Sequence, residues 1–219
     1  MKRLGCLFFG LLLLADLTAF QREPDAIRLH GTMTSAGITV NLSVIAKAQH
    51  QIKATVSNST KSVSIEVFFN EDGLHLLEQY ADGTRQLKQL TGDLAASHLL
   101  DLLAVNPHYH FRDRNGFQTD GPACEGYRFV LVRANAPLEG TELYPIRSIS
   151  IHKDGEAENP PLRTIRYLEF MESTEPYLQP KTMEFIDEVS GESGTIRIHK
   201  VEYNAGLPDF LFETPETGT

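Results

Sequence analysis

The feature that most constrains this chain is a two-residue rhythm that recurs from near one end to near the other. Apolar Ile38, Val40, Leu42 and Val44 alternate with Thr39, Asn41 and Ser43, and Val63, Ile65, Val67 and Phe69 alternate with Ser64, Glu66 and Phe68. The rhythm returns at Tyr127, Phe129 and Leu131, at Ile149 and Ile151, at Ile165 and Tyr167, at Met183 and Phe185, and at Ile196 and Ile198. Successive side chains of a strand point to opposite faces, so this spacing describes antiparallel strands with one apolar and one wet face. Turn signals fall between them: Ser35-Ala36-Gly37, Glu71-Asp72-Gly73, Ala81-Asp82-Gly83, Lys153-Asp154-Gly155 and Ser190-Gly191-Glu192. Their glycines supply the positive φ that tight hairpins need. Pro160-Pro161 and Pro180 fit strand starts or edges, where a missing N–H is tolerated. About ten strands result, enough that the sheet must curl or close.

One stretch departs from the rhythm. Asp93 to Val105, DLAASHLLDLLAV, is rich in helix formers, with Asp93 placed to cap it and Asn106-Pro107 to stop it. Leu99, Leu102, Leu103 and Ala95 or Ala96 share a face, while Ser97 and Asp101 fall nearer the other. The predicted architecture is therefore mainly β: a single strongly curved antiparallel sheet, a half-barrel, with one short helix on its concave face. A helix of about thirteen residues covers less apolar surface than such a sheet presents. The sheet either closes on its own side chains or leaves an apolar cavity.

The first nineteen residues, MKRLGCLFFGLLLLADLTA, place Lys2 and Arg3 before the apolar run Leu4 to Leu14. That is the form of a cleaved secretory signal, and the run is short for a membrane span. Cys6 precedes most of the apolar run, which does not fit a lipidation site. The expected mature chain starts near Phe20, is exported to the periplasm, and forms one domain over residues 20–219. The formal charge of the whole chain is −9; the leader carries a surplus of one positive charge, which leaves the mature part near −10. A chain this acidic is a poor partner for nucleic acid. Only Cys124 outlasts cleavage, so no intramolecular disulfide is expected, and its neighbours Ala123, Glu125 and Gly126 suit a buried thiol better than a reactive one.

Catalytic signatures are absent from the sequence. His108-Tyr109-His110 would put two imidazoles on one side of a strand, but zinc needs at least three protein ligands, and Asp113 or Glu125 would have to converge on them. Arg112 and Arg114 read as surface ion-pair partners. There is no Gly-x-Ser-x-Gly elbow, phosphate loop, His-Glu-x-x-His or paired-Cys motif. Carboxylates such as Glu169, Glu172, Asp187 and Glu188 read as solvated faces. No enzyme, metal or cofactor is expected; a metal-dependent or hydrolytic activity around His108, His110 and Cys124 is the weakest of three readings.

Two segments carry a resemblance. Pro122-Ala123-Cys124-Glu125-Gly126-Tyr127-Arg128-Phe129-Val130-Leu131 leads from a Cys-containing turn into a strand, and Pro180-Lys181-Thr182-Met183-Glu184-Phe185 opens a later one. The chain then closes on TIRIHKVEYNAGLPDFLF, residues 195 to 212. In these features it resembles the LolA/LolB-like superfamily, in particular its outer-membrane lipoprotein-sorting branch. It departs from that group in starting its first strand, Ala26 to Thr34, directly after the leader, where relatives carry a helix. The resemblance implies a monomeric, non-catalytic carrier or sensor that holds lipoprotein acyl chains or lipid in a half-barrel, with an envelope protein as a possible further partner. It also implies that the tail turns back and plugs the end of the sheet, with Asp209 capping a helical turn and Leu207, Phe210 and Phe212 packed inward. The candidate lipid-lining residues are Val40, Leu42, Ile65, Val67, Leu99, Leu103, Phe129, Leu131, Met183 and Phe185. The same residues would equally fill a closed, dry barrel serving as a structural or interaction module of the envelope.

Overall fold

The computed structural model describes residues 26–47, 51–58, 63–110, 125–137, 144–155, 160–172 and 178–215, with only the backbone of 108 and 109. The first six strands are β1 (Ala26–Ser35), β2 (Ile38–Lys47), β3 (Gln51–Asn58), β4 (Val63–Asn70), β5 (Gly73–Gln79) and β6 (Arg85–Gln89). Helix α1 (Gly92–Ala104) and the single turn α2 (Pro107–His110) follow. The chain continues through β7 (Tyr127–Arg133), β8 (Ile146–Lys153), β9 (Arg163–Phe170), β10 (Pro180–Asp187) and β11 (Ser193–Tyr203), and then a 3-10 turn at Asp209–Phe212. All eleven strands form one antiparallel sheet in the order β6-β5-β4-β3-β2-β1-β11-β10-β9-β8-β7. Two meanders are joined in the middle by β1 and β11, and the sheet stays open at β6 and β7.

Hairpin chemistry fixes the register. Ser35 pairs with Ile38 across the two-residue turn Ala36–Gly37, in which both φ angles are positive, 49° and 77°. Such a turn matches the twist of the flanking strands. Near the centre of the sheet the β1–β11 register shifts between His30 and Gly31. A Cβ on Gly31 would lie 2.4 Å from the Arg197 carbonyl oxygen, so the bulge closes only on a glycine.

Helix α1 reveals the curvature. It touches β8 and β9 on one side and β3 on the other. Strands β3 and β8 are six ladder steps apart, about 29 Å along a flat sheet, whereas a helix is about 10–12 Å across. The sheet must wrap the helix to reach it from both sides. The buried residues Ala95, Ala96, Leu99, Leu100, Leu102, Leu103 and Ala104 span an arc of about 200° at 100° per residue, wider than a helix lying on a flat face requires. Leu94 points away from that arc and is exposed.

Several details differ from the sequence-based expectation. The residue before α1 is Thr91, with no side-chain cap; Asp93 lies in the first turn and accepts bonds from the Tyr127 hydroxyl and, at 2.9 Å, Lys153 Nζ. Pro107 does not end helical structure but opens α2, a position where its absent N–H costs nothing, so residues 108–110 are not on a strand.

The tail is corrected more deeply. Leu207 and Phe212 are buried, but Phe210 is 66% exposed. Asp209 caps nothing and instead meets Lys47. Leu207 and Phe212 pack with Ala26 and partly buried Ile45, Ala205 and Leu211. Ala26 and Ile45 alternate along their strands with Ile27, Val44 and Ala46 of the main core, so they point to the opposite face. The tail therefore does not plug the trough. It reverses through Asn204 and Gly206, both at φ 56°, and braces the outer face beside β3 and β4. Asn70 Nδ2 holds it by donating to the Phe212 carbonyl at 3.0 Å and Thr214 Oγ1 at 3.1 Å.

Candidate functional site

The concave face is where strand alternation and the helix bring apolar side chains together. Ladder pairs run across it: Met183 faces Ile196 and Tyr167, Phe185 faces Ile165, and Ile149 faces Leu131. Seven of the ten lipid-lining candidates join one packed cluster: Leu42, Val67, Leu99, Leu103, Phe129, Met183 and Phe185. Leu99, Leu103 and Met183 are 0% exposed. Ile65 and Leu131 are partly buried at the margin of that cluster, and Val40 is half-buried.

The margin has a direction. Val40 pairs with Met33, Leu42 with Val56, and Val56 with Ile65. Met33, Val56 and Ile65 are only partly buried, and Ile38, two residues before Val40, is 51% exposed. An apolar strip thus leaves the helix-covered core and continues towards the β1–β2 turn. Gly31, opposite Leu42, adds no side chain to the surface beside it.

Polar groups pin the helix into the trough. The Tyr167 hydroxyl donates to the Ala104 carbonyl at 2.9 Å, and Gln179 Nε2 donates to the Val105 carbonyl at 2.9 Å. Both satisfy carbonyls that a helix end leaves without intrahelical partners. Burial holds the Tyr167 pKa well above the usual tyrosine value. On the helix flank, Arg163 Nε donates to Asp101 Oδ1 at 2.7 Å, its NH1 lies 3.7 Å from Asp187 Oδ2, and its guanidinium sits 4.8 Å from the centre of the Phe185 ring. Burial raises the Asp101 pKa against the lowering influence of Arg163. Burial likewise lowers the pKa of His98, one turn earlier, while Asp101 opposes that shift.

This Asp101–Arg163–Asp187 cluster escaped the sequence reading, in which Asp187 was a solvated acid. The available signal was an arginine at the start of the alternating stretch Arg163, Ile165, Tyr167, on its apolar side. Gln179 gave no signal.

Among the described residues no group of three His, Cys, Asp or Glu could hold a metal. His110 is buried at the end of α2. Asp113, Cys124, Arg112, Arg114 and the leader 1–19 lie outside the described residues, as does the side chain of His108. No helix among the described residues is long and apolar enough to cross a membrane.

The open antiparallel sheet curled round one helix is the fold implied by the sequence resemblance. The chain is similar to the solved structure of a putative outer membrane lipoprotein-sorting protein domain from Vibrio parahaemolyticus, at 10% identity and a TM-score of 0.52 over 92% of this chain and 95% of that one. It is equally similar to a DUF1329 family protein from Desulfovibrio piger ATCC 29098, at 11% identity and a TM-score of 0.52 over 93% and 95%. A weaker likeness, with a TM-score of 0.49 and 12% identity over 94% and 96%, is to a LolA superfamily protein from Nitrosomonas europaea. At such identities the shared property is the fold. No sequence family matches the chain, and no curated protein does.

Proposed function

We propose that this protein is a non-catalytic carrier or sensor, exported to the periplasm, that holds the acyl chains of lipoproteins or lipid along its concave face and serves outer-membrane lipoprotein sorting. The observation that carries the reading is the strip Met33, Val40, Val56 and Ile65, apolar and incompletely buried at the margin of the core. Apolar cover for such a strip is supplied by an alkyl chain, and each methylene withdrawn from water contributes about 0.8 kcal/mol. No directed chemistry is needed. A single-domain monomer suffices, and nucleic acid has no role.

Binding of a fluorescent fatty acid tests this. Ile65→Glu, on the strip, is expected to abolish binding while changing the melting temperature little. Equal binding by wild type and variant would remove the strip from the account. N-terminal sequencing of the exported protein checks the leader: a start near Phe20 is expected, and a soluble species retaining Met1 contradicts export by cleavage.

The second reading is a structural or interaction module of the envelope without lipid cargo. The close packing of Leu99, Leu103 and Met183 favours it, because α1 fills the part of the trough it occupies.

A further inference from the structure

Charge is spread unevenly over this acidic chain. Strands β7, β8 and β9 together hold six Lys or Arg residues and one acid, Glu169, a surplus of five in a chain of formal charge −9. The remainder of the chain therefore carries −14. Arg163 turns inward, and Lys153 meets Asp93. Arg128 and Arg147 are exposed, and neither has a carboxylate partner among the described residues. Arg166 is exposed and shares Glu184 at 3.4 Å.

These arginines lie on or beside one surface. On the outer face Arg128 pairs with His152, Val130 with Ser150, and Val132 with Ser148; Ser150 continues to Thr164 and Ser148 to Arg166. A register shift between Val132 and Arg133 puts Ile146 in the core and leaves Arg147 outside. Three large apolar residues are exposed at the same strand end: Val132 at 50%, Leu168 at 58% and Tyr144 at 49%. Elsewhere on the outer face, the region beside β3 and β4 is braced by the C-terminal tail.

We propose that the outer face of β7–β9 docks on an anionic lipid bilayer, Arg128, Arg147 and Arg166 meeting lipid phosphates while Val132, Leu168 and Tyr144 enter the interfacial layer. Arg128 and the Val132 end are separated by about 13 Å along β7, and β7 and β9 by about 10 Å across the ladder. The guanidinium groups therefore address separate phosphates rather than converge on one small anion. Between them stand short side chains, Val130, Ser148, Ser150 and Thr164, which suit many shallow contacts better than one anchored protein side chain. The acidic remainder is repelled by the same bilayer, so charge also orients the molecule with this face down. The inference concerns lipid headgroups at the outer face and is independent of acyl chains in the trough.

Co-sedimentation with vesicles tests it, using wild type and variants purified in the same form. Wild type is expected to bind phosphatidylcholine vesicles containing phosphatidylglycerol, to release with added salt, and to bind pure phosphatidylcholine weakly. Each surface arginine is worth about five-fold in partitioning, so Arg128→Glu with Arg147→Glu should lose at least about 25-fold. The control Arg197→Glu with Lys200→Glu, on β11 with equal charge change, should lose far less. Both pairs are exposed, so circular dichroism is expected to match wild type. No binding to the anionic vesicles, or equal loss in the two double variants, overturns the proposal.

Discussion

Ala36 occupies a backbone region that an L-residue enters only at a cost of about 1–2 kcal/mol, and it does so because the β1–β2 turn requires positive φ at both central positions. Asn favours that first position, so Ala36→Asn should stabilise the protein by about 0.5–1 kcal/mol, read from denaturant midpoints at unchanged slope. The tail offers a sharper contrast between neighbouring residues. Phe212 is 2% exposed and Phe210 is 66% exposed. Phe212→Ala should cost about 3 kcal/mol and Phe210→Ala less than about 0.5 kcal/mol. Equal costs would mean that the tail does not brace the outer face as described. From sequence, both rings are apolar residues near a chain end. Which one is buried depends on the single 3-10 turn and on Asn70, far away in sequence, and no local pattern encodes that pairing.

At the scale of elements, the strands named from period-two alternation were legible because each has one face on a continuous core. The strands β3, β5 and β6 carried weaker signals. β3 buries only Ile52 and Ala54 fully, and β6 is an edge of sequence RQLKQ that is exposed except at half-buried Leu87. Edge strands rich in charge deter unwanted pairing and for that reason lack an apolar rhythm. Helix α1 was legible from composition, its anchors were not. Arg163→Ala removes the partner of Asp101 and the cover of Phe185, and should cost about 3 kcal/mol in a denaturant melt. His98 gives the same flank a pH dependence. Burial lowers its pKa in the folded state, so its contribution is complete above about pH 6.5 and is lost as pH falls towards the folded value. Asp101, whose folded pKa is raised, acts in the opposite sense at lower pH: its contribution is complete below about 3.9 and is lost as pH rises through its folded value. Between pH 7.5 and 5.5 wild type should therefore lose stability, and His98→Gln should lose less. An unchanged slope in the variant would remove His98 from the account.

At the scale of the molecule, the curvature follows from arithmetic that sequence could not supply. A helix that touches β3 and β8 together forces the sheet around it, and the apolar face grades from a fully packed part to a partly buried strip. Strand alternation points to eight of the lining candidates and the helix face to Leu99 and Leu103, but either pattern gives only the face of a residue and not how completely packing covers it. Leu103 and Ile65 are alternatives that only the packing separates. Leu103→Trp, at a position 0% exposed, should overpack the core and cost about 1–3 kcal/mol. Ile65→Trp, on the strip, should leave the melting temperature nearly unchanged and compete with cargo.

The most direct measurement is native mass spectrometry of the protein isolated from a lysate that contains membranes, for wild type and Ile65→Glu. A carrier should leave wild-type protein with acyl-chain mass that organic solvent releases, and the variant at its bare chain mass. Wild type at its bare mass, together with no uptake of a fluorescent fatty acid, contradicts the carrier and leaves the envelope module in its place.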